Sequence, residues 1–181
     1  MSSEANDVVI RPLEKGDEAA VMRFTQALPQ SDLLFVTRDL TQPKVVRAWL
    51  KEVEDGEIYS EVALVDGEIA GYSALIIDPL SWSPHVGEVR ILVGPEHRGR
   101  NIGRKLAAAA RDRGVELGLE KLIARMTVDQ HGAIALFEEL GFRAEALLRN
   151  HVKTRDGATY DLAILSLEVE TSSARRSMLG L

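Results

Sequence analysis

Four cations crowd one short stretch of the chain, "PEHRGRNIGRKL" (Pro95–Leu106). Arg98, Arg100, Arg104 and Lys105 lie there, with Gly99 and Gly103 threaded between them. The stretch falls where an alternating apolar run gives way to a helical pattern. A helix N-terminus presents unpaired backbone N–H groups and a partial positive charge. Glycines before it let a ligand come close to the main chain. Together they make an anion site suited to phosphate, and arginines add charge and bidentate donors. Two well-known phosphate loops do not fit. Neither glycine is followed by the Lys-Ser/Thr pair of a P-loop, and the glycines are four apart with no third in register for a dinucleotide fingerprint. On these residues alone, a strand–turn–helix corner with a solvated basic face stays open beside the phosphate reading.

The rest of the chain is not basic. Its 181 residues carry 22 Lys and Arg against 28 Asp and Glu, a formal charge of −6. That argues mildly against a nucleic-acid binder, which usually shows a basic face. The chain has no cysteine, which excludes disulfides, cysteine nucleophiles and thiolate metal sites. The histidines show no metal-ligand spacing, so no metal is expected. "MSSEANDVVI" lacks the basic and apolar regions of a signal peptide, and no apolar run approaches a membrane span. The expected location is the cytoplasm, with no membrane partner.

The elements that must position the basic stretch follow from periodicity and turn chemistry. "DVVIRPL" (Asp7–Leu13) reads as a strand. Asp17 can cap a helix to about Ala27, and Pro43 opens a second to about Glu54 with Val45, Val46, Trp49, Leu50 and Val53 as its apolar stripe. Asp66-Gly67 divides "IYSEVALVDGEIAGYSALIID" into a hairpin. Strands are predicted over Val86–Val93 and Lys121–Val128. Helices begin near Asn101 and over Gln130–Leu140, where Gly141 stops the second. Two closing strands are joined through "TRDG". The β–α–β units beginning at Val86 and Lys121 imply parallel neighbours. The fold class is α+β, a mixed, mostly antiparallel central sheet flanked by helices. Residues 1–170 form one domain, and 171–181 read as a mobile tail. Trp49 and Trp82 are both expected to pack.

Quoted together, "GEVRILVGPEHRGRNIGRKL" and "VDQHGAIALFEELGF" resemble the GNAT superfamily of acyl-CoA-dependent N-acyltransferases. The family pattern is a strand ending in V-x-P-E, then R/Q-x-x-G-x-G/A opening a helix, then a strand and an N-x-x-A-x-x-L-Y-x-x-x-G-F helix. The match is close over about Val86–Phe142. The resemblance implies an N-acetyltransferase that takes acetyl-CoA as co-substrate and needs no metal. It implies that Arg98, Gly99, Arg100, Asn101, Ile102 and Gly103 form the loop holding the coenzyme pyrophosphate, with Arg104 adding an amide. It implies that Ile91, Leu92 and Val93 meet the pantetheine arm, the Val93 amide donating to the thioester carbonyl. Gln130, Ala133 and Phe137 fall at coenzyme-contacting positions of the second motif.

Three departures matter. Asn101 stands where the family has its first motif glycine; Asn tolerates a left-handed backbone best among the other residues. Gln130 replaces the motif Asn, which puts its usual coenzyme contact in doubt. Phe137 replaces the Tyr that would protonate the departing thiolate, and a phenyl ring has no proton to give; Tyr160 and His131 are the other donors at hand. For the proton leaving the amine, the resemblance points to Glu88, acting through water; the alternative is a strand carboxylate balanced by Arg90. Phe35–Asp39 and Ser81–His85 are plausible acceptor walls. The acceptor is a primary amine, on a protein lysine, an N-terminus or a small molecule. A non-catalytic acyl-CoA-sensing module is the other reading, kept alive by Phe137. A nucleic-acid partner is not expected. Edge strands after Gly141 could pair two copies into a homodimer.

Overall fold

A computed structural model describes residues 8–29, 32, 38–154 and 156–169. The tail expectation over 171–181, and most of the Phe35–Asp39 wall, lie outside those residues. The described elements are β1 (Val9–Pro12), α1 (Glu18–Ala27), α2 (Pro43–Glu54), β2 (Ile58–Val65), β3 (Glu68–Ile77), β4 (Val86–Val93), α3 (Ile102–Glu116), β5 (Lys121–Thr127), α4 (His131–Glu139), β6 (Arg143–Lys153) and β7 (Thr159–Glu168). Seven strands form one mixed sheet in the order β1-β2-β3-β4-β5-β7-β6. The α+β expectation holds.

Local chemistry explains most of these boundaries. Asp66 and Gly67 both take positive φ, 52° and 81°, as a two-residue hairpin turn requires. Pro43 opens α2, whose Val46, Trp49 and Leu50 are buried. Gly141, at φ 96°, follows α4 as its stop. Asp17 does sit at the N-cap of α1, yet makes no side-chain cap bond. Its carboxylate is taken instead by Arg11, through two hydrogen bonds of 2.7 Å, and by the Glu14 amide. Those bonds hold the Asp17 acid below the usual aspartate range, the Arg11 bond contributing most.

Two compact units divide the chain: Met1–Ala74 with Ile91–Ala109, and Leu75–Arg90 with Ala110–Leu181. In the first, β1 pairs antiparallel with β2. Ala63, Val65, Ala70, Ile102 and Leu106 form a buried cluster against which Ile91 and Val93 pack. Trp49 is buried as expected, its Nε1–H donating to Ser60 Oγ at 3.1 Å and its ring 4.8 Å from Tyr72.

In the second unit, β4 and β5 run parallel with Val86↔Lys121, Gly87↔Leu122 and Glu88↔Ile123 in register. β5 also pairs antiparallel with β7 along its whole length, and β7 with β6. The expected parallel neighbour of β5 after α4 is therefore displaced: β7 folds back as a hairpin and takes the place beside β5, leaving β6 outermost. Trp82 does not pack; it is 96% exposed. Its loop satisfies itself, the Asp78 carboxylate accepting from Leu80 N–H and Ser81 Oγ–H donating to the Asp78 carbonyl. That closed turn leaves the indole facing solvent.

Candidate active site

Gly94 N–H donates to the Ala70 carbonyl of β3 at 2.9 Å. A trans peptide points its C=O opposite to its N–H, so the Val93 carbonyl faces away from β3. In an extended residue N–H and C=O share an edge, so the Val93 N–H faces away from β3 as well. The two strands come close here because β3 carries Gly71: a Cβ at that position would lie 2.6 Å from the Leu92 carbonyl oxygen. β4 thus ends with one backbone N–H aimed off the open edge, and Ile91 and Val93 hold that end down on the apolar cluster.

The basic loop follows at once. Pro95–His97 form a 3-10 turn, and Arg98 N–H closes it on the Pro95 carbonyl at 3.3 Å. Gly99 then takes φ 74° and Asn101 φ 64°. Asn101 does occupy the left-handed conformation that the missing glycine would have supplied, and it does so in solvent, where its side chain meets no obstacle of burial. Its carbonyl accepts from Lys105 N–H at 3.2 Å, the first bond of the α3 ladder. The amides of Ile102, Gly103 and Arg104 precede that ladder and point out of the helix start. Ile102, 1% exposed, anchors the first turn in the same apolar cluster as Val93. The result is three helix N-terminal amides, a left-handed entry and an outward strand-end N–H on one scaffold, an arrangement suited to an extended anion.

The arginines of the loop do different things. Arg98 Nε donates to the Val93 carbonyl at 3.3 Å, and its Nη2 lies 2.8 Å from Asp32 Oδ2. Arg100 is exposed, its Nη1 3.4 Å from His97 Nδ1. Asp32 and Gly71 escape a reading of the sequence, because neither sits in a local pattern.

The second unit holds the remaining candidates. Glu88 is largely buried and paired twice, its Oε1 accepting from Arg90 Nε at 2.9 Å and its Oε2 standing 3.7 Å from Arg125 Nε. Arg90 is the expected neighbour. Arg125 arrives through the parallel register: Glu88 faces Ile123, and Arg125 is two residues on, along the same face of β5. The longer contact exceeds a hydrogen bond, so Oε2 keeps acceptor capacity for a water or a proton donor.

On α4, Gln130 is the N-cap and its carbonyl accepts from Ile134 N–H at 3.0 Å. Ala133 is half-buried. Phe137 is 4% exposed and meets Phe142 edge-on at 4.9 Å, so its ring is core packing in this unit. His131 is exposed and Tyr160 half-buried. Among the described residues no group of three or more His, Asp or Glu is placed to hold a metal ion, and no helix is long and apolar enough to cross a membrane.

A spermidine N(1)-acetyltransferase of Escherichia coli K12 is 27% identical over 160 residues, which cover 80% of this chain and 77% of that protein. The fold is shared with a GNAT superfamily phosphinothricin acetyltransferase of Sinorhizobium meliloti solved with AcCoA, at a TM-score of 0.79 and 20% identity over 92% of this chain and 91% of that one. It is shared too with a spermidine N-acetyltransferase of Vibrio cholerae solved with CoA and spermine, at a TM-score of 0.75 and 22% identity over 90% and 95% of the two chains. The family model described as Acetyltransferase (GNAT) family matches residues 25–142, and the chain belongs to that family of acetyltransferases.

Proposed function

We propose that this acetyltransferase moves the acetyl group of acetyl-CoA to a primary amine by direct attack. The observation that carries the reading is the coincidence, at the end of β4, of the outward Val93 N–H with the left-handed Gly99–Asn101 entry to α3. The loop amides from Gly99 to Arg104 take the pyrophosphate, and Ile91 to Val93 take the pantetheine. The amine nitrogen attacks the thioester carbonyl carbon. The Val93 amide stabilises the oxygen as charge builds there. The C–N bond forms, the C–S bond breaks, and the second amine proton passes through water to the departing thiolate, so that coenzyme A leaves as the thiol. An alkyl ammonium has a pKa of about 10.4 and must lose a proton before it attacks; Glu88 accepts it through water at Oε2.

The acceptor is read as a small polycationic amine ahead of a protein lysine. Support comes from the relatives named for spermidine and from the chain's charge of −6. The sensor reading retains one observation in its favour, the apolar burial of Phe137 where a proton-donating tyrosine would stand. One assay separates them: acetyl-CoA with spermidine, spermine, free amino acids and a lysine peptide, followed by thiol release. Turnover with spermidine supports the proposal. Turnover only with the peptide moves the acceptor to proteins. Tight coenzyme binding with no turnover on any amine supports the sensor, and no coenzyme binding sinks both.

A further inference from the structure

The guanidinium of Arg98, for all that it sits in the anion loop, is committed elsewhere. Its Nε donates to the Val93 carbonyl, and its Nη2 is ion-paired with the buried Asp32 Oδ2, an oxygen that accepts no hydrogen bond. Asp32 belongs to the segment between α1 and α2, and its side chain is 13% exposed. The Val93–Gly94 peptide is consequently held at both ends: the N–H by Ala70 of β3, the C=O by Arg98. Asp32 also neutralises the charge that Arg98 would otherwise offer an anion.

We infer that Arg98 is a positioning residue, with Asp32 as its brace: it fixes the direction of the Val93 N–H and so acts on turnover, not on coenzyme affinity. The geometry suits arginine alone. A planar guanidinium donates to the carbonyl at one nitrogen and meets the carboxylate charge at another, whereas a lysine ammonium is a single point. A donor to a developing oxyanion has to be aimed closely, and small misplacements cost large factors in rate. Asp32 holds the far end of the guanidinium by its charge; without it the long side chain is free to swing toward solvent or phosphate. The inference rests on the Val93 role proposed above.

The test uses the full chain and the variants Arg98→Lys, Arg98→Ala, Asp32→Asn and the double Arg98→Ala/Asp32→Asn. Three quantities are measured: the acetyl-CoA dissociation constant by calorimetry, kcat with the fastest amine of the panel, and the carbonyl stretch of bound [1-13C]acetyl-CoA by difference infrared. Expected are dissociation constants within about threefold of the parent, and kcat lowered about tenfold or more in each single variant. The double variant should be no worse than Arg98→Ala, because the two residues work as one unit. The carbonyl stretch should move back toward its value in free acetyl-CoA in Arg98→Lys and Asp32→Asn. A merely structural role would lower the melting temperature while leaving that stretch in place. Loss of coenzyme affinity by more than about tenfold in Arg98→Ala, with kcat at saturation unchanged, would make Arg98 a phosphate ligand and overturn the inference. Effects that add in the double variant would overturn it too. A parent protein that binds acetyl-CoA without shifting its carbonyl stretch would instead remove the Val93 role itself.

Discussion

β4 carries two kinds of candidate site along one strand. Its first residues, Val86–Glu88, are laddered to β5 and display a charged side chain, Glu88, between two arginines. Its last residues display backbone: the Val93 N–H, then the loop amides reached through Gly99 and Asn101. A backbone site is preorganised by conformation and by the packing beneath it; the buried Ile102 and the Gly71 contact supply that. A side-chain site is preorganised by its partners, and its charge is shared among them. The two therefore fail differently. Steric and conformational changes should break the first, and charge changes should break the second.

The largest effect is expected where a side chain and a negative charge enter the backbone site together. Gly103→Glu places a carboxylate at the second amide of α3, against the anion that the helix start attracts. Acetyl-CoA affinity should fall by more than about a hundredfold, a loss of roughly 3 kcal/mol or more. Calorimetry with acetyl-CoA checks it; a variant that folds and binds as the parent does would remove the loop from the coenzyme site.

Glu88→Gln tests the other region by charge alone. Coenzyme affinity should stay as it is, and turnover should fall by about a hundredfold, the low end for a general base. With no base, the rate should follow the free-amine fraction. It should then rise about tenfold per pH unit below the amine's pKa of about 10.4, more steeply than in the parent. Parallel pH–rate profiles for parent and variant would show that Glu88 is only a strand ion pair.

The contrast also explains what could be read from the sequence. Backbone sites announce themselves through residues with special conformations in a row, so Gly99, Asn101 and the helix start were legible, as were the Asp66-Gly67 turn and the α2 stripe. Partnerships made across the sheet were not. Arg125 reaches Glu88 only because the parallel register sets Ile123 opposite it. Asp32 reaches Arg98 across a long stretch of chain without a local motif. β7 takes the place beside β5 because a hairpin returns there, and no turn signal distinguishes that order from β6 beside β5. Trp82 fails for the opposite reason: its bulk suggests a core, while local bonds of Asp78 and Ser81 settle where it points.

Asn101 sharpens the comparison because its role is conformation without charge. Asn101→Val puts a β-branched residue at φ 64°, a cost of roughly 1–2 kcal/mol. That corresponds to about a tenfold loss of acetyl-CoA affinity if the loop absorbs it. Asn101→Gly, which restores the family residue, should bind within about twofold of the parent. Equal affinities for Gly and Val at this position would mean that the left-handed backbone is not what the ligand reads.

The smallest effect belongs to Arg125, and its sign is the informative part. The side chain is half exposed and stands at 3.7 Å from Glu88 Oε2, so the pair is screened and worth about 0–1 kcal/mol. Arg125→Ala should therefore change stability little and turnover by no more than about fivefold. If Glu88 takes a proton at Oε2, removing a cation that competes for that oxygen should leave kcat/KM unchanged or raise it. If Arg125 instead holds the carboxylate in its working rotamer, kcat/KM should fall, and Arg125→Lys should restore part of the loss. Arg90→Ala gives the control, since Arg90 holds the other oxygen at true hydrogen-bond length and its loss frees the whole carboxylate to turn. A drop with Arg90→Ala and none with Arg125→Ala would assign orientation to Oε1 and proton transfer to Oε2.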